Sequence, residues 1–151
     1  MEDNALDRTT IYFTHYLFEA YRQVNRMDRF WERMDLWFNL KGQGFKTAPE
    51  KPEPSRSDCH GWSTHPLFHS FASILGIRPA EPGFASVKIE PRFGPLQWVK
   101  GTIPHPKGLI SANLKVNGRR LTGTVKLPDG ICGTLTYNDK IIKLKPGTQK
   151  L

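Results

Sequence analysis

Apolar residues in the first half of the chain recur at helical spacing. Three segments show this period, at residues 9–24, 27–40 and 64–75, and their lengths suit ordinary globular helices. Only Asn25 and Arg26 separate the first two segments, and so short a connection is typical of an antiparallel helical hairpin. The pattern therefore predicts three helices, with a long loop between the second and the third.

Residues suited to helix ends flank these segments. A hydroxyl at Thr9 or Thr10 can accept hydrogen bonds from the free amides of the first turn, and Ser63 or Thr64 can do the same for the third helix. Gly42 follows the second helix, where a left-handed glycine is expected. These residues support the predicted boundaries.

The first helix is apolar on nearly every face, which predicts burial on more than one side. Three helices cannot cover all of that surface, so we expect the helical part to belong to a larger helical assembly. Without those neighbours, the chain would expose an apolar patch larger than a stable monomer tolerates. Homo-oligomerisation through the faces of Phe13, Tyr16, Phe30 or Trp37 is a further expectation.

From Phe84 onward, apolar residues alternate with polar ones, as in strands with one solvated face. Hairpin turn chemistry at Asn117-Gly118 and Asn138-Asp139 separates the alternating segments. Six short strands with such turns predict an antiparallel β-sandwich or jelly-roll-like domain. The predicted strands span residues 85–90, 96–103, 109–116, 119–126, 132–137 and 140–145.

A segment containing prolines and a glycine, residues 78–83, marks the change of period. We therefore predict a helical part over residues 1–80 and a β-domain over residues 84–151. A length of 151 residues accommodates one ordinary domain or two small ones.

The net charge of +8 comes from the second half of the chain. Residues 1–80 contain 10 Lys/Arg and 10 Asp/Glu, whereas residues 81–151 contain 12 Lys/Arg and 4 Asp/Glu. The lysines occur singly within alternating segments, and no basic run has interleaved aromatics, so nucleic acid is not expected as a partner. A solvated sheet face is the favoured interpretation.

Membrane association is not expected, because no apolar run reaches the length of a transmembrane helix. The N-terminus is acidic and polar, unlike a secretory signal, and the cellular location is left open. Cys59 and Cys132 lie far apart without a CxxC pair. Reduced thiols are therefore the default expectation.

Residues 49–63 gather chemically versatile side chains in one loop. Prolines at positions 49, 52 and 54 forbid regular helix or central strand there. Long loops without secondary structure are commonly functional or disordered, and the aromatic and cysteine content of this one is atypical of disorder. The loop is therefore the candidate site.

Two chemistries open to this loop are disfavoured. A zinc site needs three or four converging ligands, but Cys59 and His60 are adjacent in an extended segment and point apart, while His69, four residues after His65, can face solvent. Nucleophilic catalysis by Cys59 is not expected, because nothing obvious lowers the pKa of its thiol. A buried structural cysteine is favoured, and no metal or cofactor is predicted.

The third chemistry is a sugar site. Glu50 lies between prolines that stiffen the loop, and it precedes Arg56, Asp58, His60 and Trp62. An indole ring can stack on a sugar face, polar groups can bind hydroxyls, and a carboxylate can activate water. Composition alone nevertheless favours solvated loop acids and a packed histidine.

A family resemblance adds to this reading. Residues 56–63, with the sequence RSDCHGWS, and the following THPL closely resemble a late catalytic-domain motif of bacterial α-L-rhamnosidases. Residues 46–50, KTAPE, resemble the family's approach to its second catalytic carboxylate. The other similar segments are FTHYLFEA at 13–20, LGIRPAEPGF at 75–84, LQWVKGT at 96–102 and PKG at 106–108. The resemblance therefore covers most of the chain.

The resemblance implies the end of an (α/α)6 barrel, about three helices, followed by a C-terminal β-sandwich. It also implies an inverting hydrolase that removes terminal α-L-rhamnose from rhamnose-containing glycans or glycosides. By position, Glu50 matches the family's general base and His60 matches a residue that contacts the rhamnose. Trp62, Asp58 and Arg56 lie in the same loop and are interpreted as sugar contacts or loop organisers.

The chain departs from the family pattern in two respects. Gly61 stands where the family often has alanine, and the family's general acid lies upstream, on barrel loops that these residues do not contain. Inverting hydrolysis needs two carboxyl groups about 6.5–9.5 Å apart. The chain is therefore predicted to be a C-terminal fragment with little or no activity alone. The alternative is a non-catalytic carbohydrate-binding or structural β-sandwich, with Trp98 and its neighbouring lysines as the relevant surface.

Overall fold

The computed structural model describes residues 8–52 and 54–151. The chain divides into two compact units after Phe68. The first unit contains helices and a long loop, and the second contains two mostly antiparallel sheets. This combination confirms the predicted fold class of helices followed by a sandwich-like β-domain.

The helices of the first unit are α1, Thr14–Gln23, and α2, Met27–Leu40. A 3-10 turn, Gly61–Ser63, follows the long loop and leads into α3, His65–His69. The predicted second helix is confirmed at both ends. The first helix begins later than predicted, because residues 11–13 form a turn.

Of two residues predicted to mark helix ends, Thr10 acts as a cap and Gly42 does not have the predicted conformation. Thr10 accepts a hydrogen bond at its hydroxyl oxygen from the Phe13 amide, at 3.3 Å, and so caps the turn that precedes α1. The left-handed glycine after α2 is Gly44, with φ 92°. The prediction of Gly42 for this position is wrong, because the chain continues in turns beyond Leu40 before it reverses.

Helices α1 and α2 pack as the predicted antiparallel hairpin. Phe18 and Phe30 are fully buried, with ring centroids 4.1 Å apart. Arg33 Nε, further along α2, donates to Thr14 Oγ1 at 3.1 Å, at the start of α1. Asn25 takes a left-handed conformation, φ 56°, in the short connection.

The apolar surface of α1 is covered only in part by the described residues. Thr14 and Phe18 are its buried residues, whereas Phe13 and Tyr16 are each 56% exposed. Burial of α1 on several sides is therefore not found within this part of the chain. Phe30 is fully buried, so the prediction that its face pairs with another copy of the chain is wrong. The other exposed apolar side chains of the first unit are Tyr12, Val24, Phe38, Trp62, Leu67 and Phe68.

The predicted third helix is interrupted. A π-helical turn, Ser70–Ile74, follows α3, and Gly76 ends the segment as predicted, with φ 77°. A Cβ on Gly76 would lie 2.0 Å from the Glu90 carbonyl oxygen, so the close approach requires glycine. His69 is fully buried with Nδ1 2.9 Å from Ser73 Oγ, and the expectation that it faces solvent is wrong.

Eight strands make up most of the second unit. Their bounds are β1 Ile77–Pro79, β2 Val87–Ile89, β3 Trp98–His105, β4 Gly108–Asn117, β5 Arg120–Leu127, β6 Gly133–Tyr137, β7 Lys140–Leu144 and β8 Gly147–Lys150. Each of the six predicted segments contains a strand. Strands β1 and β8 were not predicted, and β1 occupies part of the segment interpreted as a linker.

The strands form two four-stranded sheets, ordered β1-β2-β6-β7 and β3-β4-β5-β8. Neighbouring strands pair antiparallel except β2 and β6, which are parallel. These two strands are separated in sequence by three strands of the other sheet, which leaves room for a crossover connection. The hairpin turn predicted at Asn138-Asp139 is confirmed between β6 and β7, where the two residues carry the positive φ values of a type I′ turn, 46° and 63°.

The predicted alternation holds in β4, where Ile110, Ala112 and Leu114 are buried while Asn113 and Lys115 are exposed. The buried faces of both sheets form the core of the second unit. Its other buried apolar strand residues are Ile77, Val87, Ile89, Val99, Val125, Leu127, Leu135 and Leu144.

Candidate functional site

The candidate loop closes on itself through its backbone. The His60 amide donates to the Ala48 carbonyl at 2.7 Å, and the Glu50 amide donates to the Ser57 carbonyl at 2.8 Å. The two flanks of the loop, residues 48–50 and 57–60, therefore run side by side. Thr47 tightens the base of the loop by donating its hydroxyl proton to the Asp58 carbonyl.

Ser63 anchors this loop to the helices. Its side chain is fully buried and donates to the Pro49 carbonyl. Its own carbonyl accepts a hydrogen bond from Trp37 Nε1, on α2, at 2.8 Å. One buried residue thus holds the beginning and the end of the loop against the same helix.

Glu50 and Arg56 form an ion pair across the loop. Arg56 Nε donates to Glu50 Oε2 at 3.0 Å, and the Arg56 Nη2 atom donates to Oε1. This two-pronged geometry orients the carboxylate as well as neutralising it. The Glu50 side chain is only 10% exposed, whereas that of Arg56 is 77% exposed. The carboxylate is thus held inside the loop by a cation that lies mostly in solvent.

The hydrogen bonds from Arg56 lower the pKa of the Glu50 carboxyl below its ordinary value. Partial burial opposes this shift, and the charges of Arg56, His60 and Lys51 add to it. Because the pKa is lowered in the folded state, the pair favours folding above the ordinary pKa of glutamate. That contribution is lost as the pH falls through the lowered pKa.

His60 and Trp62 form an aromatic cluster beside this carboxylate. Their ring centroids are 4.0 Å apart, and the Tyr12 ring lies 5.4 Å from that of Trp62. Trp62 Nε1 donates to the Glu50 carbonyl at 3.4 Å, and Trp62 is 42% exposed. The cluster therefore presents an accessible aromatic face next to Glu50.

Asp58 and Cys59 lie on the exposed flank of the loop. The contact that places Asp58 is made by its backbone carbonyl, not its carboxylate. Cys59 is a free, exposed thiol, so the expectation of a buried cysteine is wrong, because the extended backbone turns the side chain outward. Cys132 is also free and exposed.

The structure thus brings together Glu50, Arg56, His60 and Trp62, while Asp58 lies at the edge of the group. Sequence analysis assigned no role in the site to Tyr12, Trp37 or Ser63. Tyr12 and Trp37 act through contacts distant in sequence, which no local pattern reveals. Ser63 stands beside Trp62 in the quoted motif, and that position was a usable signal.

The fold and the site define a helical hairpin with a closed, charged loop that is joined in sequence to a β-sandwich. Residues 76–148 match the sequence model of the bacterial alpha-L-rhamnosidase C-terminal domain. The match covers 73 of the 151 residues, just under half of the chain. The resemblance to the C-terminal portion of bacterial α-L-rhamnosidases is confirmed.

Solved structures of rhamnosidases share the fold. The GH78 family rhamnosidase of Bacillus sp. GL1 matches with a TM-score of 0.80 and 22% identity over 86% of this chain. The α-L-rhamnosidase of Dictyoglumus thermophilum matches with a TM-score of 0.62 and 16% identity over 75% of this chain. The α-L-rhamnosidase of Streptomyces avermitilis, solved in complex with L-rhamnose, matches with a TM-score of 0.55 and 17% identity over 66% of this chain.

The chain spans 15%, 16% and 12% of the lengths of these three structures, respectively. A comparison with curated proteins gives no match. Among the residues that the structure describes, no helix has the length and apolar character needed to cross a membrane.

The Ser63 anchor predicts a stability effect. We expect S63A to lower the free energy of unfolding by about 1–3 kcal/mol, because the Pro49 carbonyl would be left buried without its partner. The exposed T64A variant, which removes a hydroxyl that donates to the Gly61 carbonyl, should cost only about 0.5 kcal/mol. Urea unfolding followed by tryptophan fluorescence measures both, and equal costs would contradict the anchor.

The Glu50–Arg56 pair predicts a titration effect. We expect R56Q to raise the pKa of Glu50 toward its ordinary value, measured by the carboxyl carbon shift in NMR. K51Q is the matched control, because Lys51 makes the smallest contribution to the shift. If both variants raised the pKa equally, the paired geometry would not be its cause.

Proposed function

We propose that the chain is part of an α-L-rhamnosidase-like glycoside hydrolase. Residues 1–80 would form the last helices and an active-site loop of an (α/α)6 barrel, and residues 84–151 the C-terminal β-sandwich. The family match at residues 76–148 supports this proposal, as does the fold shared with rhamnosidases. The exposed Phe13 and Tyr16 rings on α1 suit a surface on which further barrel helices pack.

Glu50 is the general base in this proposal. Inverting hydrolysis requires a carboxylate that is ionised when water attacks the anomeric carbon. The observation that carries this assignment is the ion pair with Arg56, which holds the Glu50 carboxylate in place and keeps it charged. Glu50 would take a proton from the attacking water on the face of the sugar opposite the leaving group.

His60 and Trp62 are the sugar contacts. Their adjacent rings, tilted by 43°, offer an apolar surface for the C–H face of rhamnose beside the base. The imidazole can also exchange hydrogen bonds with sugar hydroxyls. Arg56 would act by orienting Glu50, and Asp58 would meet hydroxyls at the edge of the same loop.

The chain alone has little or no activity in this proposal. Inversion needs a second carboxyl group about 6.5–9.5 Å from the base, with water between them. Within residues 48–63, leaving aside Glu53, the described partner of Glu50 is a guanidinium, and Asp58 is engaged through its backbone. The general acid would therefore come from other barrel loops.

A chimera tests the catalytic role of Glu50. This chain would replace the matched portion of the Bacillus sp. GL1 rhamnosidase, and release of 4-nitrophenol from 4-nitrophenyl α-L-rhamnoside would be measured. We expect E50Q to lower kcat by about 10²–10⁴-fold, the usual contribution of a general base, with KM nearly unchanged.

The exposed carboxylate of Glu81 provides the control, since E81Q removes the same charge outside the loop. We expect E81Q to keep the turnover of the parent chimera. The first product of the parent chimera should be the β-anomer of rhamnose, as detected by NMR. The isolated chain should release no 4-nitrophenol. Near-normal turnover of E50Q would exclude Glu50 as the general base. Turnover by the isolated chain would contradict the proposal that the general acid lies outside these residues.

A further inference from the structure

The outer face of the β3-β4-β5-β8 sheet carries an unusual set of side chains. The strand register places Trp98 opposite Lys115 and Lys100 opposite Asn113. All four of these side chains are exposed, whereas the alternate residues of both strands face the core. One end of this outer face therefore combines an indole ring, two ammonium groups and an amide.

The same face continues across the other two strands. Thr124 of β5 pairs with Lys150 of β8, and Lys126 pairs with Thr148. Thr122 lies opposite Lys115. Neighbouring strands are about 4.8 Å apart, so the lysines of four adjacent strands form a patch in two dimensions, with hydroxyl groups between them.

The four strands contribute no negative charge to this patch. Strands β3, β4, β5 and β8 contain neither Asp nor Glu. Among the residues that the structure describes, none of Lys100, Lys115, Lys126 and Lys150 forms an ion pair. Exposed ammonium groups of this kind hold solvent counterions, which a polyanion can displace.

Trp98 is the second anomaly of this face. It is 60% exposed, so its flat ring is available for a sugar to stack on. The ring borders a concave volume of about 610 Å³, which is within the usual range for small-molecule sites. This groove is lined by Gln97, Trp98, Lys115, Val116, Asn117, Gly118 and Thr122.

We propose that this face binds an acidic oligosaccharide built from hexuronic acid residues. Trp98 stacks on one sugar ring in the groove, and lysines of the neighbouring strands pair with successive carboxylates. Asn113 and the threonines meet the hydroxyl groups between those carboxylates. A neutral glycan would leave the ammonium groups unmatched, so the charge pattern selects the acidic class.

A nucleic acid fits this face less well. Single-stranded nucleic acids bind to rows of aromatic side chains on which successive bases stack, and β3, β4, β5 and β8 contain one Trp and no Phe or Tyr. The proposal uses residues of the second unit only. It is therefore independent of the role proposed for Glu50.

The test is a calorimetric titration of the full chain with a galacturonic acid hexamer at low salt. We expect saturable binding that W98A and the triple variant K100Q/K115Q/K126Q each weaken by about tenfold or more. W98F keeps an aromatic ring and should stay within about threefold of the parent, which separates loss of stacking from loss of folding.

The matched control is K140Q/K143Q/K145Q, which removes three charges from residues outside β3, β4, β5 and β8. We expect this variant and E50Q to bind the hexamer as the parent does. Absence of binding would overturn the proposal, as would equal binding of a neutral galactose hexamer. If both triple variants weakened hexamer binding equally, the face would be a non-specific polyanion surface and the proposal would be wrong. Tighter binding of an oligothymidylate of equal charge would lead to the same conclusion.

Discussion

The buried hydrogen bonds of Ser63 are the contacts on which the candidate site depends. Its hydroxyl holds the Pro49 carbonyl, and its carbonyl holds the Trp37 indole on α2. A loop of this length loses considerable conformational entropy when it is ordered, and its prolines lack the amide protons that would form regular backbone hydrogen bonds. By fixing both ends of the loop against one helix, Ser63 holds Glu50 and Trp62 next to each other.

The electrostatics of the site follow from this closure. Arg56 reaches Glu50 only because the two flanks of the loop run side by side. The ion pair lowers the pKa of the carboxyl, which makes Glu50 a weaker base but keeps it ionised at lower pH. For inverting hydrolysis, a permanently charged and oriented carboxylate suits the base, while the acid needs the opposite environment. In the proposed function, the loop would supply the base of such a pair.

Sequence patterns predicted those features that depend on local periodicity. Helix α2, the β6–β7 turn and the alternation in β4 are set by residue spacing and turn chemistry, and all three were predicted. Contacts between distant segments were not. The parallel pairing of β2 and β6 and the exposure of Cys59 depend on tertiary packing, which no local pattern encodes. Similarly, the loop motif indicated which residues belong to the site, but not that Arg56 pairs with Glu50.

The most direct test of the central claim, that residues 48–63 form a rhamnose-binding half-site, is an NMR titration of the full chain with L-rhamnose. The account predicts saturable shifts of the Trp62 indole N–H and the His60 amide, with the Trp98 indole unmoved. D-Galactose at equal concentration should leave all three signals in place. If neither Trp62 nor His60 responded to rhamnose, or if both sugars shifted them equally, the loop would not be a rhamnose site.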